Sequence, residues 1–323
     1  MKFNRRTFLA GAAAAATATV LPKRSARAET SAGSWGTLID LTRCNGCEGE
    51  AMPRCVAACR SKNAEKFPEP DPAVLKDYWP KDYHEDWSDK REISYRLTPY
   101  NWLFVEELYL DVDGRDERIA IPRRCMHCDN PPCVSLCPFG TAKKDADGPV
   151  RIEPELCFGG AKCRAVCPWH VPQRQSGVGI YTSVDPVPVG GGVMYKCDLC
   201  RDLLDQGETP RCMRACPQNA MQIGPREEIA ALAEQLRQEY GGYLYGKDEH
   251  GGTATIYVSK IPFETYDELL TEDVDPKSVM RFHQPENEAV KQHRRASVAL
   301  LAPLAGIVGA FAATVSKKGG DDE

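Results

Sequence analysis

The sequence contains no pairing of a nucleophile with a base, no glycine-rich phosphate loop and no flavin or nicotinamide fingerprint, so it offers no site of its own for bond chemistry. Its run Gly190-Gly191-Gly192 lacks the strand-to-helix setting that a phosphate loop needs. Positive charge is also short. The 323 residues carry 41 lysines and arginines against 46 aspartates and glutamates, a formal charge of −5, which argues against a nucleic-acid partner. A sixteenth cysteine is missing too. Fifteen are present in four groups, and Gly160 stands where a thiol would complete C-x2-C-x2-C in the third group.

Those fifteen are the most informative residues in the chain. The groups are Cys44, Cys47, Cys55 and Cys59; Cys125, Cys128, Cys133 and Cys137; Cys157, Cys163 and Cys167; and Cys197, Cys200, Cys212 and Cys216. Three of them end in Cys-Pro, at Pro138, Pro168 and Pro217. Close cysteines finished by x3-Cys-Pro follow the bacterial ferredoxin pattern, in which three thiolates hold one iron–sulfur cluster and the fourth serves another. The spacing has a physical reason. A C-x2-C turn aims two sulfurs at one face, and a cysteine four residues further on lies one helical turn away. Four groups therefore predict four clusters, the one facing Gly160 having three evident thiolates. Zinc held by paired C-x2-C motifs is a fair alternative for any one group, though not for four groups with three Cys-Pro endings. The odd count speaks against full disulfide pairing. His127, inside the second group, reads as a loop residue hydrogen-bonding near a cluster rather than as a ligand. Arg123, Arg124 and Lys196 flank the groups, where positive charge stabilises added electrons, although most surface cations are merely solvated.

An apolar content of 42% is ordinary, while 24 prolines and 26 glycines indicate much loop and turn. Metal clusters can replace part of a core in such a fold. Residues 1–28 read as a targeting segment: Asn4-Arg5-Arg6-Thr7-Phe8-Leu9 is a twin-arginine motif, an apolar stretch runs to Leu21, and Ala26-Arg27-Ala28 is a cleavage site. Its removal would leave 35 basic against 46 acidic residues, a formal charge of −11. Twin-arginine export carries folded proteins, so clusters can be loaded on reduced thiols before the chain meets an oxidising compartment. Residues 296–315 form an uncharged, mostly small or apolar run, and twenty helical residues span roughly 30 Å, about the hydrocarbon thickness. The sequence thus predicts a single-pass C-terminal anchor with a short tail at 316–323 and the body at the periplasmic face of the inner membrane. An alanine-rich helix of a soluble protein is the plainer reading of either end.

Between the ends, residues 29–260 are expected to form the cluster-bearing domain, with 261–295 as an extended connector. Strands are predicted at Thr37 to Asp40, Leu103 to Asp111, Arg118 to Ile121, Val150 to Ile152 and Thr253 to Val258. The apolar spacing of Ile229, Leu232 and Leu236 predicts an amphipathic helix over Glu227 to Tyr240. Residues 60–100, with Tyr78, Trp79, Tyr83 and Trp87, read as a long surface insertion whose exposed aromatics would suit a partner. The fold class is α+β: tandem bacterial-ferredoxin-like units with long loop insertions, plus one C-terminal transmembrane helix.

The stretches Arg124–Pro138, Lys196–Cys200 and Cys212–Pro217 resemble the four-cluster electron-transfer subunits of bacterial respiratory complexes. With the export motif, the stretch from Leu244 to Thr253 and the anchor, the chain most resembles the iron–sulfur subunit of hydrogenase-2-type periplasmic NiFe hydrogenases. The resemblance implies an electron relay in anaerobic respiration between a catalytic oxidoreductase subunit and a quinone-reactive integral membrane subunit. A molybdopterin enzyme such as formate dehydrogenase, or a multihaem cytochrome, is the alternative partner. A zinc-stabilised scaffold and a self-sufficient redox enzyme are the alternatives of other classes. The resemblance also implies crossed ligand sets: Cys44, Cys47, Cys55 with Cys216; Cys197, Cys200, Cys212 with Cys59; Cys125, Cys128, Cys133 with Cys167; and Cys157, Cys163 with Cys137. It implies three 4Fe–4S clusters and one 3Fe–4S cluster at the last set, where a 4Fe–4S cluster with water or another ligand, or no cluster, are the alternatives. The chain departs from the family in the x7 spacing from Cys47 to Cys55 and in Arg60 after Cys59.

Overall fold

The computed structural model describes residues 33–78, 81–112, 114–183, 191–270, 280–283 and 290–291. The targeting segment 1–28, the apolar run 296–315 and the tail 316–323 lie outside the described residues, among which no helix is long and apolar enough to cross a membrane. Trp79 and Gly190 also lie outside them.

The central strand, Trp35–Asp40, pairs in parallel with Thr255–Ser259 and antiparallel with Met221–Pro225, and Tyr243–Tyr245 closes the sheet. Successive side chains of a strand face opposite ways. Leu38 accordingly packs with Ile229, Ala233, Ile256 and Val258 under the helix Arg226–Tyr240, while Ile39 points into the main core with Met221 and Tyr257. Glu227 and Glu228 suit the positive N-terminal end of that helix. Gly241 ends it at φ +61°, a conformation that lets its amide reach Arg237 and Gln238 carbonyls.

The cysteine groups hang below this sheet on short helices and hairpins. Phe104–Val112 and Arg115–Arg123 form one hairpin, Ala142–Lys144 and Val150–Ile152 a second, Gln173–Gln175 and Val193–Tyr195 a third. The helix Arg54–Asn63 packs against Arg211–Arg214, and Pro132–Ser135 against Lys162–Val166.

Two expectations are corrected. The insertion 60–100 does not leave most of its aromatics to a partner: helix continues to Asn63, Tyr78 and Tyr100 are buried, and Trp87 is half-buried. Tyr100 donates to the Pro68 carbonyl (3.0 Å) and meets Phe67 edge-on at 5.7 Å. Among the described residues, only Tyr83 and Tyr95 stay exposed there. The segment after 261 is not an extended connector at its start. Phe263–Leu269 is a helix, and Phe263, Tyr266 and Phe282 join Tyr245 and Tyr257 in one aromatic cluster. Asp267 holds Phe282 in place by accepting its amide (2.6 Å), and the Arg123 guanidinium lies 4.0 Å from the Phe282 ring centre.

Candidate metal centres

All fifteen cysteines are free thiols, and they gather at four places. Cys44, Cys47, Cys55 and Cys216 line one small cavity. Cys125, Cys128, Cys133 and Cys167 line a second. Cys137, Cys157 and Cys163 line a third, together with Gly160. The fourth place is the buried neighbourhood of Cys59, whose thiol faces Cys212, Cys197 and Cys200. The structure thus brings together the cysteines that the resemblance groups, as thiols that could serve as ligands.

The crossing has a simple local cause. Cysteines four residues apart sit one turn apart, so each turn sends one sulfur each way. Cys55 enters the first cavity and Cys59 reaches the neighbouring group, while Cys216 and Cys212 do the same in the opposite sense. Cys133 and Cys137, and in return Cys167 and Cys163, are divided between the other two cavities. Left-handed backbone at Cys47 (φ +54°), His127 (φ +49°) and Leu199 (φ +61°) curls each C-x2-C loop around its site.

The groups are also neighbours. Cys55 is close enough to Cys212, Cys197 to Cys125, and Cys163 to Cys133 for their charges to interact. Each of the four places thus has another beside it, the three-thiol cavity neighbouring the site of Cys133.

Burial, with neighbouring thiolates adding to it, pushes Cys133 and Cys212 up to about 11 and Cys167 and Cys197 up to about 12, so these four thiols hold their protons near pH 7. Metal entry must displace those protons. The surroundings are built for the charged form. Lys196 is buried between Cys125, Cys133 and Cys197, with its ammonium donating to the Val150 and Cys197 carbonyls. Burial would lower its pKa, yet the nearby thiolates raise it overall. Arg124 is equally buried; it donates to the Cys125 carbonyl and to Thr37 Oγ1, and its Nε has no partner. Neither cation has a carboxylate within ion-pair distance among the described residues, so an anionic group in the cages is the counter-charge that fits.

His127 takes the place foreseen for it as a hydrogen-bonding loop residue. The Val150 amide donates to its Nδ1 (2.9 Å), which leaves the proton of the neutral ring on Nε2, 3.7 Å from Cys197 Sγ. Burial, reinforced by Lys196, Arg124 and Lys144, holds the His127 pKa well below its usual value. Other sulfurs accept from the Ala220 amide (Cys216, 3.3 Å), the Leu199 amide (Cys197, 3.4 Å) and Asn63 Nδ2 (Cys59, 3.6 Å). Thr141 Oγ1 lies 3.4 Å from Cys137 Sγ. Burial acts to raise the Cys137 thiol, but hydrogen bonds from Thr141, Ala142 and Phe139 outweigh it, and its pKa falls. Asn63 and Thr141 could not be found from cysteine spacing, because each follows its group without a motif of its own.

Comparison with known proteins agrees with this geometry. Two models described as 4Fe-4S dicluster domain match residues 43–141 and 117–226. Hydrogenase-2 operon protein HybA of Escherichia coli O157:H7 is 31% identical over 300 residues, covering 82% of this chain and 83% of the relative. The iron-sulfur subunit of nitrate-inducible formate dehydrogenase from Escherichia coli K12 is 26% identical, covering 68% of this chain and 66% of the relative. One polypeptide of the anaerobic dimethyl sulfoxide reductase from the same strain is 28% identical, covering 60% of this chain and 75% of its own length.

Proposed function

Because the chain belongs to the iron–sulfur electron-transfer subunits of respiratory oxidoreductases, we propose that it relays single electrons between a periplasmic NiFe hydrogenase subunit and a quinone-reactive integral membrane subunit. The observation that carries this reading is that each of the four thiol groups neighbours another, since a relay needs carriers in close succession. Three groups of four thiols would each hold a 4Fe–4S cluster: Cys44, Cys47, Cys55 and Cys216; Cys59, Cys197, Cys200 and Cys212; and Cys125, Cys128, Cys133 and Cys167. Cys137, Cys157 and Cys163 would hold a 3Fe–4S cluster. Among the described residues no other thiol, imidazole or carboxylate lines their cavity. Bound in such cages, iron–sulfur clusters take up and release one electron at potentials anywhere from about −700 to +450 mV.

Zinc is the reading less well supported, because both family matches are to 4Fe-4S dicluster domains. The twin-arginine motif and the run 296–315 support export and anchoring at the periplasmic face of the inner membrane. Similarity to HybA supports the hydrogenase partner, while similarity to the formate dehydrogenase subunit supports a molybdopterin enzyme as the second reading.

The protein purified anaerobically should contain about 15 iron and 16 sulfide per chain and give a three-iron resonance when oxidised. An iron-free, zinc-loaded protein would end the relay reading, and a missing three-iron resonance would end the assignment at Gly160. Nickel or molybdenum in the complex isolated with the full chain decides the partner. His127 supplies a further check. A hydrogen bond to a charged acceptor contributes about 1.5–3 kcal/mol, part of which grows with the added electron. His127→Leu should therefore lower the potential of the centre holding Cys197 by on the order of 50 mV. Potentiometric resonance titration reads this directly, and an unmoved potential would exclude a tuning role.

A further inference from the structure

Within the insertion, the largely buried Glu85 carboxylate makes strong contacts that all lead to the three-thiol cavity. Glu85 Oε2 and Oε1 accept from Arg164 Nη1 (2.7 Å) and Nη2 (2.6 Å), and Oε1 also accepts from Arg174 Nη2 (2.8 Å). Arg164 follows Cys163 on the same short helix. Arg174 donates through Nη1 to the Gly159 carbonyl (2.9 Å), and its guanidinium stacks 3.4 Å from the Tyr78 ring centre. The stretch that carries Tyr78 and Glu85, a strap over this site, is itself tied down. The Ser176 amide donates to the Glu85 carbonyl (2.9 Å), the Glu85 amide to Tyr78 Oη (2.8 Å), and Tyr78 Oη lies 2.5 Å from Ser176 Oγ.

The other three groups each begin with a C-x2-C pair, so two sulfurs pin that loop to its site. Between Cys157 and Cys163 there are five residues and no thiol. A Cβ at Gly160 would meet nothing within 4 Å, so no protein atom fills the place where the sulfur would be, although two residues earlier in the loop the Phe158 carbonyl accepts from the Gly191 amide (2.8 Å) and the Phe158 ring stacks on Phe139. Gly159, the preceding residue, is the point that Arg174 grips.

We propose that Glu85, acting through Arg164 and Arg174, is a positioning residue that holds the 157–163 loop in place of the missing sixteenth thiolate. This rests on the assignment of a cluster to Cys137, Cys157 and Cys163. On this view the part of the insertion that carries Glu85 gives the three-thiol site its rigidity, while its start, through Asn63, Lys62 and Lys66, contacts the site of Cys59 and Cys197 instead.

The test compares wild type, Glu85→Gln, Gly160→Cys and the double variant as full-length protein purified anaerobically. In Glu85→Gln the three-iron resonance should fall severalfold with loss of about three iron per chain, while the 4Fe–4S signals of the reduced protein persist. In the double variant, iron should return to the content of Gly160→Cys alone, because the new thiolate supplies the tether. An undiminished three-iron resonance in Glu85→Gln overturns the proposal. So does an equal loss from all four sites, or a failure of Gly160→Cys to rescue. A wild-type protein lacking the three-iron resonance would instead overturn the cluster assignment itself.

Discussion

Replacing Gly160 with cysteine is expected to abolish the three-iron resonance of the oxidised protein and raise iron from about 15 to about 16 atoms per chain. The site has room: an added Cβ meets no atom within 4 Å, and Gly160 does not occupy the left-handed region that would penalise a side chain. Three thiolates already stand around the cavity, and Ile152, Ala161 and Met194 give it an apolar lining. A fourth thiolate adds negative charge to a partly buried centre, which makes it harder to reduce. Its potential should fall by on the order of 200 mV within the range open to such centres. Under the relay proposed above, quinone-linked turnover should fall with it, while the catalytic subunit's reaction with an artificial dye continues. A variant that keeps the three-iron resonance would show that Gly160 does not mark the vacant corner.

Replacing Glu85 with alanine is expected to cost about 3–5 kcal/mol, the usual penalty for removing one member of a buried ionic group and stranding the others. Arg164 and Arg174 would be left facing each other with little access to water. Thermal midpoints should fall by on the order of 10 °C. Acid should remove the difference. Burial alone would raise the Glu85 carboxyl, but the two guanidinia outweigh it and hold it below its ordinary range. A depressed carboxylate contributes fully above its unfolded value of about 4.3 and loses that contribution as pH falls through the folded one. Wild type and Glu85→Ala should thus differ most near neutrality and converge below about pH 4, as melting curves at several pH values would reveal. A constant gap across that range would mean that shape, not charge, holds the strap.

Much of the site was legible in the sequence because cysteine spacing is a local signal: thiols with three residues between them sit one helical turn apart, and the resemblance supplied which groups cross. The strand at Trp35–Asp40 and the helix at Arg226–Tyr240 were legible for the same reason, their apolar periods being short. The strap was not. Glu85 and Arg164 are 79 residues apart, and nothing in the charged run around Glu85 distinguishes it from solvated neighbours. Tyr78 likewise looked exposed because it lies among prolines and charges, where no period points to a core. The segment after 261 looked extended for the same reason, since the anchoring of Phe282 by Asp267 spans 15 residues without a repeat.

The crossed thiols also impose an order on biosynthesis. The cages built from Cys125 to Cys167 are complete in sequence once residue 167 has left the ribosome, whereas those begun by Cys44 to Cys59 wait for Cys197 to Cys216. The central strand waits longer still, for its parallel neighbour Thr255–Ser259. One half of the molecule is therefore nested inside the other along the chain. A nascent chain cut short before residue 197 carries one finished pair of cages and the orphaned front half of another, with four thiols open to oxidation or to the wrong metal.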